Sequence, residues 1–277
     1  MAGRWVTPMQ MDPNNNRLLA GYDDLHEFDY GSGWNQLSTF TFPNQLRCIE
    51  IYDGNSDIIF VSTDDEIYKT IDNGNNFTDI TGSLPTNSVI TSIEVNPSNS
   101  DELWVSRGGW DGLNHIFHTS DGGATWNNLT GNLPNLPCNI VKFDVGTNGG
   151  VYVGTDLGVY YRDEDLGSWI QYMNNLPNVI VNDLEIHEAT NVIRAGTYGR
   201  GVWESPNYNA YNNDAGISGI SSPDLSICNT STFDPVVTLI NYGLINLTSV
   251  DIIYDVDGSN PQTFSWAGNL VQGGTEV

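Results

Sequence analysis

The chain has 277 residues, and its 34 acidic and nine basic side chains give a formal charge of −25. Such a composition argues against binding to nucleic acid or to an anionic membrane surface, because both are bound by clustered lysine and arginine. It favours solubility in a salty or extracellular setting. The length allows one large all-β domain and part of a second.

Neither a membrane helix nor a disulfide framework is predicted. No stretch approaches the roughly 18 apolar residues of a membrane span, and residues 1–5 have no signal-peptide core. The three cysteines, Cys48, Cys138 and Cys228, are too few for a framework of disulfides. We expect buried free thiols that pack as small apolar side chains.

The dominant pattern is an internal repeat of 40 to 48 residues, which is a typical length for a propeller blade. Segments with one polar residue between two apolar ones predict the first strand of each unit at 9–11, 49–51, 93–95, 141–143 and 184–186. Second strands are predicted at 18–21, 58–62, 103–106, 151–154 and 192–196. Third strands are predicted at 25–28, 67–70, 116–119, 159–162 and 202–205. In four units an aromatic residue then begins a fourth strand, at Trp34, Phe77, Trp126 and Trp169. No helix is predicted.

The turn before the fourth strand carries the sharpest motif. In the third unit its defined positions are Ser120, Asp121, Gly123, Thr125 and Trp126, while Thr119 stands at the spacing usual for the hydroxyl residue. The second unit keeps the acid, the glycine and the aromatic as Asp72, Gly74 and Phe77. The Asp accepts hydrogen bonds from backbone N–H groups, the glycine supplies a positive φ, and the aromatic packs between strands. The motif therefore predicts a folding element.

Repeat and turn together resemble the Asp-box propellers, also called bacterial neuraminidase repeats, of sortilin-like domains, sialidases and xyloglucanases. The resemblance spans residues 4–206 and implies an all-β fold, a β-propeller of four-stranded Asp-box blades with five blade units visible in 1–206. The last unit has no such turn and no fourth strand. We therefore expect these units to be part of a larger propeller with further blades before Trp5.

A second domain is predicted after a polar linker at 207–213. Strands are expected within 214–220, 235–243, 249–256 and 262–266. Residues 214–277 resemble a truncated immunoglobulin-like β-sandwich of the adhesion type found in secreted Bacteroidetes proteins, often ahead of a type IX secretion sorting domain. This resemblance implies a secreted or cell-surface location and further domains in the parent chain.

Candidate binding residues lie in loops expected at one rim of the propeller, because loops between the second and third strands share a face with the loops between blades. The candidates are Asp24, Asp65, Arg107, Trp110, Asp111, Asp156, Tyr198 and Arg200. Carboxylates, arginines and an aromatic platform at Trp110 fit a polysaccharide or peptide ligand. The acidic residues equally fit turns in which they bond local N–H groups.

The leading interpretation is a non-catalytic binding or scaffold segment. The alternative is a glycoside hydrolase related to xyloglucanases, which needs two carboxylates about 5 to 10 Å apart, one with a raised pKa. A sortilin-like peptide-binding propeller is a third hypothesis. A sialidase is poorly supported, because Arg162 and Arg194 fall within strands and leave few arginines for a three-arginine clamp. No metal or cofactor motif is present, and no cofactor is predicted.

Overall fold

The computed structural model describes residues 4–86, 88–110, 112–145, 147–173, 175–208, 215–222, 234–241, 243, 245–255, 261–271 and 273–277. The chain divides into two compact units, Met1–Asn207 and Tyr208–Val277. Within the described residues every regular element is a β-strand, apart from one 3₁₀ turn at Glu188–Thr190. The predicted all-β class is confirmed.

The described residues of the first unit form five consecutive antiparallel sheets, here called blades 1 to 5. Blade 1 contains β1 (Met9–Met11), β2 (Leu18–Gly21), β3 (Leu25–Asp29) and β4 (Gly33–Gln36). Blade 2 contains β5 (Cys48–Ile51), β6 (Ile59–Ser62), β7 (Ile67–Thr70) and β8 (Thr78–Asp79). Blade 3 contains β9 (Ile90–Asn96), β10 (Asn99–Arg107), β11 (Ile116–Thr119) and β12 (Asn127–Asn128). Blade 4 contains β13 (Cys138–Asp144), β14 (Gly150–Thr155), β15 (Gly158–Arg162) and β16 (Ile170–Gln171). Blade 5 contains β17 (Val181–His187), β18 (Val192–Thr197) and β19 (Gly201–Pro206).

The hydrophobic core is divided among the boundaries between consecutive blades. Leu19 of blade 1 packs in one cluster with Ile51 and Ile59 of blade 2. Equivalent clusters join blades 2 and 3 around Phe60, and blades 3 and 4 around Trp104. Because strand side chains alternate between the two faces, blades 2 and 3 each present one apolar face to the preceding blade and one to the following blade.

The turn between the third and fourth strands is built around an aspartate. In blade 3, Asp121 accepts hydrogen bonds from the amide and hydroxyl of Thr125 at 2.8 and 2.7 Å. These bonds, the hydroxyl first, lower the pKa of Asp121 to about 2. Gly123 has φ +90°, a conformation that favours glycine.

The hydroxyl group in this turn comes from Thr119, which stands at the usual spacing, and not from Ser120, the other hydroxyl residue that the motif names. Thr119 Oγ1 accepts the Gly123 N–H at 3.0 Å and donates to Asp121 Oδ1 at 2.7 Å. The side chain of Ser120 is exposed, because strand alternation turns it away from the turn's interior.

Blade 2 repeats the arrangement of this turn. Thr70 Oγ1 accepts the Gly74 N–H at 3.0 Å and donates to Asp72 Oδ1 at 2.8 Å. Gly74 has φ +85°. The ring of Phe77, which precedes the fourth strand, lies 5.0 Å from the ring of Phe42 in an edge-on contact.

Two of the three cysteines fall within the described residues, and both are free thiols. Burial raises the pKa of Cys48 to about 11 and that of Cys138 to about 12. These thiols therefore remain protonated and unreactive at neutral pH. Cys228 lies outside the described residues.

Asn207 corrects the predicted start of the linker. Its side chain is buried, and its Nδ2 donates to Asp144 Oδ1 of blade 4 at 3.1 Å. Its backbone N–H donates to the Asn191 carbonyl at 2.8 Å. Asn207 therefore belongs to the first unit, since its amide has hydrogen-bond partners there that a solvated linker would lack.

In the second unit, the described residues form two sheets. In the first, β20 (Ala215–Ser222) pairs with β21 (Val236–Asn241), which also pairs with β24 (Thr275–Glu276). The second sheet is the antiparallel pair of β22 (Leu247–Tyr254) and β23 (Gln262–Leu270). A small core of Leu239, Leu247 and Leu270 joins them.

Candidate functional site

Seven of the eight predicted rim residues fall in the described part of the chain, in or next to the connections between second and third strands. Asp24 follows β2, Asp65 follows β6, Arg107 ends β10 just before Trp110, Asp156 follows β14, and Tyr198 and Arg200 follow β18. Asp111 lies outside the described residues. Their exposure and contacts differ widely.

Arg107 is not available to a ligand at the rim, contrary to the prediction. Its side chain is fully buried, and its Nη2 donates to the Ser88 carbonyl at 2.6 Å. The guanidinium carbon also lies 5.8 Å from the centre of the Phe117 ring. Arg107 therefore braces the connection between blades 2 and 3, because a buried guanidinium needs carbonyl or carboxylate partners.

A polar cleft opens on the face that carries the predicted rim, between blades 2 and 3. Its volume is about 350 Å³, and it is lined by Asn44, Asp64, Asp65, Thr86, Ser88 and Val89. Asn44 comes from the connection between blades 1 and 2, Asp64 and Asp65 from the β6–β7 loop, and the other three from the connection between blades 2 and 3. Three separate loops thus supply one amide, two carboxylates and two hydroxyl groups.

Two arginines hold one of the cleft carboxylates in its ionised form. Arg4 Nη2 lies 2.9 Å and Arg47 Nη1 3.2 Å from Asp64 Oδ1. Burial opposes ionisation of this carboxyl, but the hydrogen bonds and charges of Arg4 and Arg47 outweigh it and lower the pKa of Asp64. Arg4 is itself fixed by bonds from its Nε and Nη2 to the Gln45 carbonyl. Asp64 is therefore suited to accept hydrogen bonds and not to donate a proton.

The loop that carries the exposed indole of Trp110 is bonded to one wall of this cleft. Trp110 is 64% exposed, and its carbonyl accepts a hydrogen bond from Asn135 Nδ2 at 3.3 Å. Two residues earlier, the Gly108 N–H donates to the carbonyl of Val89 in the cleft wall at 2.9 Å, and the Ser88 hydroxyl donates to the Gly108 carbonyl. The loop that carries Trp110 is thus anchored directly to the cleft.

The remaining candidates bond within their own blades or stand in solvent. Asp24 accepts a hydrogen bond from Gln36 Nε2 at 2.9 Å. Burial and the nearby charge of Asp23 raise the pKa of Asp24, although the charge of His26 acts in the opposite direction. Asp156 accepts from Asn139 Nδ2 at 3.0 Å. Tyr198 is 72% exposed, and Arg200 is also exposed. Within the described residues, no hydrogen bond or ion pair joins any of these four side chains to a residue that lines the cleft.

A row of charged residues occupies the first strands of the blades, at the polar position of each alternating segment. Lys142 of blade 4 lies 3.4 Å from Glu94 of blade 3 and 3.9 Å from Glu185 of blade 5. Glu94 also accepts the Phe143 N–H at 3.1 Å. Burial raises the pKa of Glu94 against the charge of Lys142, and burial with the charge of Glu94 raises the pKa of Glu50. Over the described residues, no group of three or more His, Cys, Asp or Glu side chains could hold a metal ion.

The sheets are similar to those of solved β-propellers. The GH74 enzyme of Niastella koreensis matches with TM-score 0.56 and 16% identity, over 73% of this chain and 36% of that one. The Cps50 β-propeller domain of Myceliophteria thermophila matches with TM-score 0.56 and 10% identity, over 86% of this chain and 72% of that one. The fold is that of a β-propeller.

A third propeller neighbour is the extracellular domain of a putative hybrid two-component system from B. thetaiotaomicron, with TM-score 0.54 and 16% identity over 76% of this chain and 28% of that one. The chain spans only 36% of the length of the Niastella enzyme. No family model matches the chain, and no curated protein gives a significant match. In the described part of the chain, no helix is long and apolar enough to span a bilayer. At these identities the likeness establishes the propeller fold and leaves activity to be argued from the site.

Proposed function

We propose that this chain is a non-catalytic carbohydrate-binding segment of a secreted or cell-surface protein, with its site in the cleft between blades 2 and 3. The supporting observation is the joint placement of Asp64, Asp65 and Asn44 in one cleft, with Trp110 on an adjoining loop. The volume of the cleft, about 350 Å³, falls within the range of about 300 to 1,000 Å³ that is usual for small-ligand sites.

The lining of the cleft suits a polyhydroxylated ligand. Carboxylates at Asp64 and Asp65 accept hydrogen bonds from sugar hydroxyl groups, whereas Asn44, Thr86 and Ser88 both donate and accept. Five of the six lining residues are polar, so an apolar peptide side chain would gain little there. This polarity favours a glycan over the apolar peptide site of the sortilin-like hypothesis.

Trp110 would supply the apolar part of the interaction. An exposed indole offers a flat surface on which the C–H face of a pyranose ring stacks, and this burial adds apolar area to the polar contacts of the cleft. Because the side chain of Trp110 is 64% exposed, it has few contacts within the protein to give up when it stacks on a ligand.

Binding is favoured over hydrolysis by the electrostatics of the cleft. A glycosidase that uses two carboxylates needs one with a raised pKa to protonate the leaving group. Asp64 has a lowered pKa and is paired with Arg4 and Arg47. Asp24, whose pKa is raised, is bonded to Gln36 within blade 1. The GH74 neighbours keep hydrolysis as the competing function, with the carboxylate of Asp65 as its candidate in the cleft.

The test is a polysaccharide screen by glycan array and affinity electrophoresis with reducing-end assays in parallel. The variants Trp110→Ala and Asp65→Asn target the site. Tyr30→Ala removes an aromatic side chain that is 91% exposed on a β3–β4 turn, and Asp183→Asn neutralises an exposed carboxylate of blade 5. These two variants are the matched controls.

We expect binding that is weakened at least about tenfold by either site variant and unchanged by either control, without release of reducing ends. Hydrolysis that is lost in Asp65→Asn would replace this proposal with the glycosidase hypothesis. Peptide binding without glycan binding, or glycan binding that neither site variant affects, would also overturn it.

A further inference from the structure

Blade 1 has one face that no other described blade covers, and so does blade 5. We call these the open faces; the one on blade 1 is apolar, whereas the one on blade 5 carries an ion pair. In blades 2 to 5 the last apolar residue of the first-strand pattern is covered by the preceding blade. The exposed fractions at this position are 1% for Ile51, 3% for Val95, 8% for Phe143 and 8% for Ile186. The equivalent residue of blade 1 is Met11, which is 60% exposed.

Met11 begins an apolar row that crosses all four strands of blade 1. The register pairs Met11 with Leu18, Leu18 with Phe28, and Phe28 with Trp34, so the four side chains share one face. The rings of Phe28 and Trp34 are 5.2 Å apart. Met9, which is also 60% exposed, lies two residues before Met11 on the same face. Leu18, Phe28 and Trp34 are half-buried on this face, whereas Met9 and Met11 at its edge are exposed. Partly exposed apolar side chains that adjoin one another in this way mark an interaction site.

The opposite face of each blade carries a large apolar side chain at the centre of the second strand, which packs against the next blade. These residues are Leu19, Phe60, Trp104 and Tyr152 in blades 1 to 4, with exposed fractions of 0, 0, 4 and 0%. Each is therefore the natural counterpart of the apolar row on its successor.

Blade 5 breaks this pattern with a charge. Its residue at that position is Arg194, which pairs across the sheet with Glu185 and Glu204. Arg194 Nε donates to Glu204 Oε2 at 2.8 Å, and the two side chains are 45% and 56% exposed. Packing this ion pair against Met11 would remove water from two charges without supplying a polar partner. Blade 5 therefore does not complement the open face of blade 1.

We propose that the open face of blade 1, formed by Met9, Met11, Leu18, Phe28 and Trp34, binds a further blade that presents a large apolar side chain at the centre of its second strand. The occupant is neither blade 5 of this chain nor a second copy of it. The interface repeats those that already join blades 1 to 4.

The first test measures whether the face is open in the isolated chain. We expect sedimentation equilibrium to show a monomer. After mild peroxide treatment, peptide mass spectrometry should show faster sulfoxide formation at Met9 and Met11 than at the half-buried Met173. Protection of both methionines in a monomer would show that the same chain covers the face. A dimer that Met11→Asp dissociates would make a second copy the occupant. Either result overturns the proposal.

The second test supplies the missing partner by converting blade 5. The double variant Arg194→Phe/Glu204→Lys copies the Phe60–Lys69 pair of blade 2 onto the open face of blade 5. We expect concentration-dependent head-to-tail association that is lost when Met11→Asp is added, because the interface is heterologous. Circular dichroism checks that each variant is folded. A folded double variant that stays monomeric at every concentration would contradict the proposal.

Discussion

The indole of Trp126 in blade 3 donates a hydrogen bond to the backbone carbonyl of Ile80, which follows the last strand of blade 2, at 3.0 Å. The next boundary repeats the contact, since Trp169 Nε1 donates to the Leu129 carbonyl at 2.8 Å. Both rings are buried. The aromatic residue after the aspartate turn therefore fixes the outer edge of one blade to its predecessor as well as filling space between strands.

This contact predicts the effect of replacing Trp126 by phenylalanine. Phe77 occupies the corresponding position in blade 2, so the ring should fit, but the carbonyl of Ile80 loses its donor. We expect a loss of about 1 to 2 kcal/mol in the free energy of unfolding, measured in urea. Trp110→Phe, at an exposed indole, should change it by less than about 0.5 kcal/mol. Equal losses in both variants would mean that the hydrogen bond contributes nothing.

The aspartate turn gives a sharper comparison between neighbouring residues. Thr119→Val removes the hydroxyl that accepts from Gly123 N–H and donates to Asp121, and keeps the shape of the side chain. We expect it to destabilise the protein by about 1 to 3 kcal/mol, because a buried N–H is left without an acceptor. Ser120→Ala should have no measurable effect, since that side chain is exposed. Thermal denaturation of the two variants measures the difference. A larger loss of stability in Ser120→Ala than in Thr119→Val would contradict the assignment of the turn hydroxyl to Thr119.

The strands were predictable because alternation and turn residues act locally. The segments 9–11, 67–70 and 116–119 are strands with the predicted bounds, and Phe77, Trp126 and Trp169 directly precede fourth strands. The alternation of apolar and polar residues does not reveal the difference between the open faces. Only the strand register shows that Arg194 of blade 5 occupies the position that Tyr152 has in blade 4.

The site was less predictable because loops meet through contacts distant in sequence. The placement of Asp65 and Trp110 in loops of one face stays a prediction, and the arginines beside the cleft, Arg4 and Arg47, are not named among the candidates predicted from the sequence. A signal existed for Arg47, which stands immediately before β5 in a connection between blades. Nothing local distinguishes the buried Arg107 from a rim arginine, since its burial depends on the Ser88 carbonyl 19 residues away.

Lys142 should be needed to keep Glu94 ionised between blades. Lys142→Met leaves the buried Glu94 without its cation, and we expect a loss of about 3 kcal/mol in the free energy of unfolding at pH 7. The loss should shrink as the pH falls and Glu94 takes up a proton. Adding Glu94→Gln should restore most of the stability, because the glutamine oxygen still accepts from Phe143 N–H. If the double variant were no more stable than Lys142→Met, the charge of Glu94 would not be the cause.

Asp144 and Asn207 form a buried hydrogen-bonded pair in which one oxygen of each side chain has no donor among the described residues. Asn207 Nδ2 donates to Asp144 Oδ1, whereas Asp144 Oδ2 and Asn207 Oδ1, both buried acceptors, have no hydrogen-bond partner in the described residues. Protonation of Asp144 converts one of these acceptors into a donor. Burial, with the charge of Glu188, raises the pKa of Asp144 from 3.8 to about 6 against the opposing bonds from Tyr152 and Asn207.

The folded state therefore binds the Asp144 proton more tightly than the unfolded state does, and this contribution to stability is complete below pH 4 and is lost as the pH rises to about 6. Asp144→Asn keeps an acceptor at Oδ1 and places an amide N–H donor where the proton would be. We expect the variant to match the wild type near pH 4 and to exceed it by about 1 to 3 kcal/mol at pH 7.5. Urea titrations at the two pH values measure this difference, and Asp183→Asn, at an exposed carboxylate, is the matched control. A variant that is less stable at pH 7.5 would show that Asp144 is ionised and stabilising in the fold.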